Sequence, residues 1–127
     1  MPGGPGKAWR MVEAVHHRVD IDEVIMWAGV FILPRYGCVL DAGESVEPIY
    51  RRIERESGMK TARLTQEIYA VGIPERAAHS LSLETGAPAL AVRRDYFDAN
   101  DAVIEVELCL YRPEGHRNFS EFRPAMG

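Results

Sequence analysis

The sequence has no excess of positive charge. It carries 15 lysines and arginines against 19 aspartates and glutamates, a formal net charge of −4. A protein that binds nucleic acid by itself usually presents an excess of lysine and arginine to neutralise phosphates. The composition therefore predicts that this chain does not bind nucleic acid directly.

Cysteine is also scarce. Cys38 and Cys109 are the only two, and they do not form a Cys-x-x-Cys pair. Neither a disulfide framework nor a redox pair is indicated, and two idle or buried thiols in a cytoplasmic protein are the simplest interpretation. A chain of 127 residues is long enough for one domain with a single core, which does not need a disulfide to be stable.

No apolar run is long enough to cross a membrane. The most apolar stretch, residues 24–40, is interrupted by Gly29, Pro34 and Gly37. Residues 1–8 lack the apolar core of a signal peptide and are predicted to be a flexible leader or the remnant of an expression tag. Residues 9–127 are then the folded domain.

Recognisable catalytic and metal-binding patterns are missing as well. The sequence contains no evident nucleophile–base pair, glycine-rich phosphate loop or metal triad. His16 and His17 are neighbours on a predicted strand and point to opposite faces, so they cannot easily ligate one ion. His79 and His116 have no cysteine or carboxylate at ligand spacing. We therefore expect neither a metal nor a cofactor.

What the sequence does contain is a pattern of strands. Apolar and β-branched residues predict strands over 9–19, 24–33 and 60–73. A final hairpin is predicted over 89–97 and 102–112. The order of elements indicates an α+β fold, in which an antiparallel sheet is flanked by helices.

Two helices separate these strands. Ser45 is placed as the N-cap of the first helix, which runs to Ser57 with Pro48 in its first turn. Gly58 stands where a left-handed residue would end that helix. The second helix is short and is predicted over residues 74–81, with a proline at its start.

The final hairpin carries an unusual polar face. With a turn centred on Ala99 and Asn100, alternate residues of the two strands share a face with Tyr111. The predicted pairs are Arg94 with Glu105, Val92 with Glu107, and Leu90 with Cys109. This face either meets water, with one exposed cross-strand ion pair, or lines a polar cavity. The opposite face, which includes Ala89 and Ala91, is apolar and is predicted to pack under a helix.

The two hairpins of the chain resemble each other. Superposing Pro34 on Pro113 places Ile25 on Ile104 and Val30 on Cys109. Two strands of similar composition can match in this way by chance. An internal duplication and a chance similarity therefore both remain open.

An ordered set of landmarks carries a family resemblance. They are Phe31-Ile-Leu-Pro34, the segment from Ser45 to Gly58, the strand with Glu67, the segment Leu81-Ser-Leu-Glu-Thr-Gly-Ala-Pro88, Leu90-Ala-Val-Arg-Arg94, Val103-Ile-Glu105 and Tyr111-Arg112. Together with their surroundings they span about residues 9–124. In this order they resemble the UTRA domain, the effector-sensing part of bacterial GntR-type repressors of the HutC subfamily.

The resemblance implies a chorismate lyase-like fold with a small-molecule pocket on one sheet face. It also implies a homodimer, for which Trp9, Trp27 or the edge strands would supply the contact. Operator DNA would be bound only through a winged-helix domain, which this sequence is expected to lack. The predicted ligand-binding residues are Ala28, Val30, Glu67, Arg94, Glu105, Glu107 and Tyr111.

Two departures from the family pattern bear on the effector. Glu107 stands where relatives often carry serine, and Val30 stands where members that bind phosphates or carboxylates often carry a basic residue. An anion beside Glu105 and Glu107, with only Arg94 to offset them, would be poorly stabilised. The effector is therefore expected to be partly apolar or cationic rather than a phosphorylated sugar.

Two other functions remain open at this point. A chorismate lyase-like enzyme needs a strongly cationic pocket for its dianionic substrate, and Glu107 works against one. A module that only dimerises would have a sheet face without a concave pocket. The sequence favours a cytoplasmic bacterial sensor without enzymatic activity over both.

Overall fold

The computed structural model describes residues 9–18, 20, 23–37 and 48–125. In chain order the elements within them are β1 (Arg10–Arg18), β2 (Glu23–Ile32), a 3₁₀ turn (Pro34–Tyr36), α1 (Ile49–Ser57), β3 (Arg63–Gly72), α2 (Glu75–Leu81), β4 (Pro88–Phe97), β5 (Val103–Tyr111) and a second 3₁₀ turn (Pro113–Gly115). The strands and helices predicted from the sequence are present, with small differences at their ends. Cys38 and the predicted N-cap Ser45 lie outside the described residues.

The strands form one antiparallel sheet in the order β1-β2-β5-β4-β3. β1 pairs with β2, β4 pairs with β5, and the two hairpins meet where β2 pairs with β5. β3 completes the sheet beside β4. The predicted α+β fold is confirmed, and it places β5 at the centre with alternate side chains on the two faces.

One face of the sheet, here called the α2 face, holds the larger core. Alanines on the helix and on the strands let α2 lie close to the sheet, because no long side chain comes between them. The buried members of this core are Trp27, Ile73, Ala77, Ala78, Leu81, Ala89, Ala91 and Leu110. The prediction that the small apolar face of the final hairpin packs under a helix is confirmed.

The other face, here called the pocket face, is covered by α1 at one end only. Ile53 of α1 is fully buried against Val30 and Ile32 of β2. Tyr50 of α1 stacks on Tyr96 of β4, with ring centroids 4.9 Å apart. The rest of this face is left uncovered by α1.

The helix α1 ends as its sequence predicts. Gly58 has a φ of +76° and donates its backbone N–H to the Glu54 carbonyl at 2.9 Å, a conformation that glycine adopts without a steric penalty. The described part of the helix begins at Ile49, directly after Pro48. Neither helix in the described ranges is long and apolar enough to cross a membrane.

The register of β4 and β5 differs by two residues from the predicted one. The observed pairs are Arg94 with Glu107, Val92 with Cys109, Leu90 with Tyr111, and Tyr96 with Glu105. The connection is longer than a two-residue turn, since the Asp98 carboxylate accepts the backbone N–H groups of Asn100 and Ala102. The pairing also shifts at a bulge beside Phe97. A shift of two residues leaves every side chain on its predicted face.

The pairing of β2 with β5 relates the two hairpins by a local two-fold axis. Gly29 pairs with Leu108, and superposing Pro34 on Pro113 equates these same two residues. A 3₁₀ turn begins at each of the two prolines. The similarity seen in the sequence thus has a counterpart in the sheet, while a duplication stays a hypothesis.

Trp27 is not available as a dimer contact, so that prediction is wrong. Its side chain is only 5% exposed, and its indole N–H donates to a carboxylate oxygen of Glu13 at 3.0 Å. The reason is that β2 is an inner strand, so the face that carries Trp27 lies under α2.

Candidate functional site

The pocket face brings polar side chains from three neighbouring strands into one row. Gln66 of β3 pairs with Arg94 of β4, and Arg94 pairs in turn with Glu107 of β5. Tyr111 follows on the same face of β5, since strand residues an even number apart share a face. These four residues line a cavity of about 190 Å³. The sheet face is therefore concave at this point.

The floor of this cavity is apolar. Met26, Val92 and Cys109 come from three adjacent strands and are buried, and Ile68 of β3 extends the row. Cys109 pairs with Val92, and Val92 pairs with Ile68. Met26 pairs with Tyr111. Residues directly opposite each other on neighbouring antiparallel strands point to the same face, so all four lie on the pocket face. An apolar floor with a few polar groups around it is the usual composition of a small-molecule site.

The segment that follows β5 supplies a wall that the sequence analysis missed. The 3₁₀ turn at Pro113–Gly115 brings the chain back over the sheet, and the ring of His116 stacks on Tyr111 with centroids 4.4 Å apart. Arg117 and Asn118 also line the cavity. The proline and glycine of the turn were the only sequence signal, because nothing in a polar segment indicates where it folds back.

The opposite charges of Arg94 and Glu107 do not pair with each other. Directly opposed charges on neighbouring strands attract by roughly 0.2–1 kcal/mol, yet within the described part of the chain no ion pair joins these two. Arg94 donates from Nε to Oε1 of Gln66 at 2.8 Å. Glu107 accepts the thiol of Cys109 at Oε1, with an S–O distance of 3.2 Å. The cavity therefore holds a cation and an anion that are bonded to neutral neighbours.

Cys109 is a thiol rather than a nucleophilic thiolate. Burial raises the pKa of its side chain to about 12, and the negative charge of Glu107 and the hydrogen bond to it add to the shift. The reactive form of cysteine is the thiolate. The sulfur of Cys109 is therefore not activated at neutral pH.

Glu105 is the most buried carboxyl group in the described chain. It is 1% exposed, and its Oε1 atom has no hydrogen-bond partner among the described residues. Burial, followed by the charge of Glu107, raises its pKa to about 8. Glu105 is therefore mostly neutral at pH 7 and adds little negative charge to this face.

Two phenols on the pocket face also stay protonated. The pKa of Tyr96 is raised by burial first, and then by the charges of Glu107 and Glu105. The pKa of Tyr111 is raised mainly by burial. At neutral pH both side chains can donate a hydrogen bond as well as accept one.

The structure sorts the seven predicted site residues into three groups. Arg94, Glu107 and Tyr111 line the cavity together. Glu105 and Ala28 are on the same face; Ala28 packs in the floor cluster, whereas Glu105 lies opposite Tyr96. Val30 completes this second group, on the same face but covered by α1.

Glu67 forms the third group, because it lies on the opposite face of the sheet. It pairs with Arg93, whereas its neighbours Gln66 and Ile68 face the cavity. Its placement beside the other predicted residues is therefore wrong. The alternation of side chains along β3 predicts this orientation, since a residue between Gln66 and Ile68 must point away from them.

A second, broader concavity lies beside α2. Its volume is about 650 Å³, and Glu13, Arg76 and His79 are among the residues that line it. The charges of Glu13 and Arg76 satisfy each other, with Nε of Arg76 2.7 Å from Oε1 of Glu13. Because these charged groups are already paired, this concavity is the weaker candidate for ligand binding.

No metal site emerges from the described residues. Among them, no three histidine, cysteine, aspartate or glutamate side chains are grouped so that they could hold an ion. His16 pairs with Met26 and His17 with Val24, so the register shifts between them at a bulge that leaves Ile25 of β2 unpaired.

Comparison with known proteins points to one family. The model of the UTRA domain matches residues 23–117. Over 79 residues the chain is 32% identical to the HTH-type transcriptional regulator Rv0792c of Mycobacterium tuberculosis, an alignment that covers 62% of this chain and 29% of that protein. The chain thus spans less than a third of the length of this relative.

Solved structures share the fold. A transcriptional regulator (GntR family) from Enterococcus faecalis V583 superposes with a TM-score of 0.71 at 26% identity, over 94% of this chain and 84% of the other. The C-terminal domain of the histidine utilization repressor from Pseudomonas syringae pv. tomato superposes with a TM-score of 0.76 at 14% identity, over 96% and 84%. At that lower identity the likeness concerns the fold alone.

Proposed function

This chain belongs to the UTRA domain family, the effector-binding domains of GntR-type transcriptional regulators, and we propose that it binds a small metabolite in the cavity between Arg94, Glu107 and Tyr111. The observation that carries the proposal is the pair of opposite charges held apart over an apolar floor. In a structural salt bridge the guanidinium and the carboxylate would bond to each other. Here both charges are left to interact with a ligand.

A route from ligand to regulation starts at the third wall of the cavity. His116, Arg117 and Asn118 belong to the segment after β5 rather than to the sheet, so a ligand that contacts them would fix this segment against Tyr111. The ligand would then bias the arrangement of whatever the domain is attached to. By analogy with the GntR-type relatives, that partner is a DNA-binding domain, and the assembly is a homodimer of the HutC type in the cytoplasm.

We infer further that the domain is a sensor rather than an enzyme. The thiol on the cavity floor is protonated. A dianionic substrate would need the guanidinium group of Arg94, and the carboxylate of Glu107 lies directly opposite that group and competes for it. Formation of 4-hydroxybenzoate from chorismate is therefore expected to be absent. A dimerisation-only role is disfavoured because the described side chains around Arg94 leave a cavity of about 190 Å³.

A thermal-shift screen of small metabolites tests the proposed site. A ligand at a hundred times its Kd stabilises the folded state by about 2.7 kcal/mol, which raises the Tm of a domain of this size by several degrees. Arg94→Gln should remove most of that shift, because a hydrogen bond to a charged group contributes about 1.5–3 kcal/mol.

Arg93→Gln is the matched control for this experiment. Arg93 is the preceding residue on the same strand, faces the opposite side of the sheet, and forms an ion pair with Asp95 at 2.8 Å. The ligand-induced shift should persist in this variant. A shift that survives Arg94→Gln and is lost in Arg93→Gln would place the ligand on the α2 face and refute the proposed site.

A further inference from the structure

We infer that the effector is a small zwitterion of the amino-acid type, with its carboxylate at Arg94, its ammonium group at Glu107 and an apolar side chain on the cavity floor. The inference rests on the proposed function, because it names the class of ligand for the same cavity. It depends on three properties of the cavity: the position of its charges, their balance, and its size.

The position of the charges matches a ligand that carries both signs. Arg94 and Glu107 are direct partners on adjacent strands, so the two ends of a short dipolar group can reach both at once. Each is bonded to a neutral neighbour, Gln66 and Cys109 respectively, which fixes its orientation without neutralising it. A carboxylate meets a guanidinium in a geometry that favours paired hydrogen bonds.

The balance of charge disfavours a ligand of one sign only. Besides Arg94 and Glu107, the cavity is lined by Arg117 and by His116, while the buried Glu105 is mostly neutral at pH 7. A simple amine would therefore lie beside two guanidinium groups. A simple carboxylate would lie beside the negative charge of Glu107, and two like charges that close together repel each other. This balance is more positive than the sequence predicts, because the segment after β5 brings Arg117 to the cavity.

The size and the floor of the cavity set the apolar part of the ligand. A volume of about 190 Å³ is somewhat larger than the roughly 150 Å³ of a protein cavity that holds benzene. Met26, Ile68 and Val92 provide an apolar surface below it. A branched aliphatic or a single aromatic side chain fits this space.

The test uses two matched series of three compounds each. The first is L-leucine, 3-methylbutylamine, which lacks the carboxylate, and 4-methylpentanoate, which lacks the ammonium group. The second is L-phenylalanine, 2-phenylethylamine and 3-phenylpropanoate. Binding is measured by calorimetry and thermal shift at pH 7. In at least one series the amino acid should bind at least tenfold more tightly than either of its truncated analogues.

Two variants make the assignment of each charge specific. Glu107→Gln should abolish the preference for the amino acid over the corresponding acid. Arg94→Gln should abolish its preference over the corresponding amine. The Tm of each variant without ligand checks that both are folded.

The outcomes separate this inference from the proposed function. If in both series an acid or an amine binds as tightly as its amino acid, or if neither amino acid binds, the zwitterion inference is overturned. If glucosamine 6-phosphate or another compound then raises the Tm in a manner that depends on Arg94, the proposed function stands without it. If the compounds that bind do so independently of Arg94, both fail.

Discussion

Glu105→Gln is expected to remove most of the loss of stability that this domain suffers between pH 5 and pH 9. In the original protein the ionisation of Glu105 should lower the free energy of unfolding over that range by an amount on the order of 4 kcal/mol, since one unit of pKa difference corresponds to about 1.4 kcal/mol. The variant has no such group and should not show this loss. This is a large fraction of the stability of a small domain.

The sign follows from where each state holds its proton. The ordinary pKa of the Glu105 carboxyl is 4.5, and burial raises it to about 8 in the folded protein. Between these values the unfolded chain has released the proton and the folded chain retains it. Stability is therefore highest, as far as this group is concerned, below about pH 4.5, and falls as the pH rises through 8. Glutamine has nearly the same shape and no charge to bury at any pH.

Urea denaturation at a series of pH values measures the effect. Comparing the pH dependence of the two proteins cancels any constant cost of the amide in the buried site. Glu84→Gln, at an exposed turn after α2, controls for the introduction of a glutamine. If the free energies of unfolding of the original protein and Glu105→Gln changed in parallel with pH, burial would not raise the pKa of Glu105, and the prediction would be wrong.

Leu81→Ala is expected to lower the free energy of unfolding by about 2–5 kcal/mol, because it opens a cavity under α2. Leu81 is fully buried among Ile73, Ala77 and Ala78. Small neighbours cannot extend into the space that it leaves. The loss should be the same with and without ligand, since the residue lies on the face opposite the pocket.

Leu64→Ala makes the same chemical change at an exposed place. Leu64 is 50% exposed on the edge strand β3, so its truncation should cost less than about 1 kcal/mol. Both variants are compared by urea denaturation at 25 °C. Equal losses for the two would contradict the assignment of the main core to the α2 face.

The elements and the faces of this fold were accessible from the sequence because they depend on local signals. Gly58 ends a helix through its own conformational freedom, and the alternation along β5 assigns Glu105, Glu107 and Tyr111 to one face whatever the register. The alanines of β4 indicated a helix above them for the same reason. Each inference needed only residues that are close together in the chain.

What the sequence did not provide were the contacts set by distant segments. The β4–β5 register depends on a loop in which Asp98 satisfies two backbone N–H groups, a detail that alternation does not detect. The wall formed by His116–Asn118 depends on a turn that folds a polar segment over the sheet. The burial of Trp27 depends on the pairing of β2 with β5, which makes β2 an inner strand and which no local pattern indicates.

Mapping where a stabilising ligand binds on the domain tests the proposed site most directly. The amide spectrum of isotope-labelled protein is recorded with the compound that raises the Tm most. We expect the shifted signals to cluster on Gln66, Arg94, Glu107 and residues 116–118, and Arg94→Gln to abolish the shifts. A cluster on Glu75–Leu81, beside the concavity of the α2 face, would show that the ligand does not bind in the cavity lined by Arg94 and Glu107.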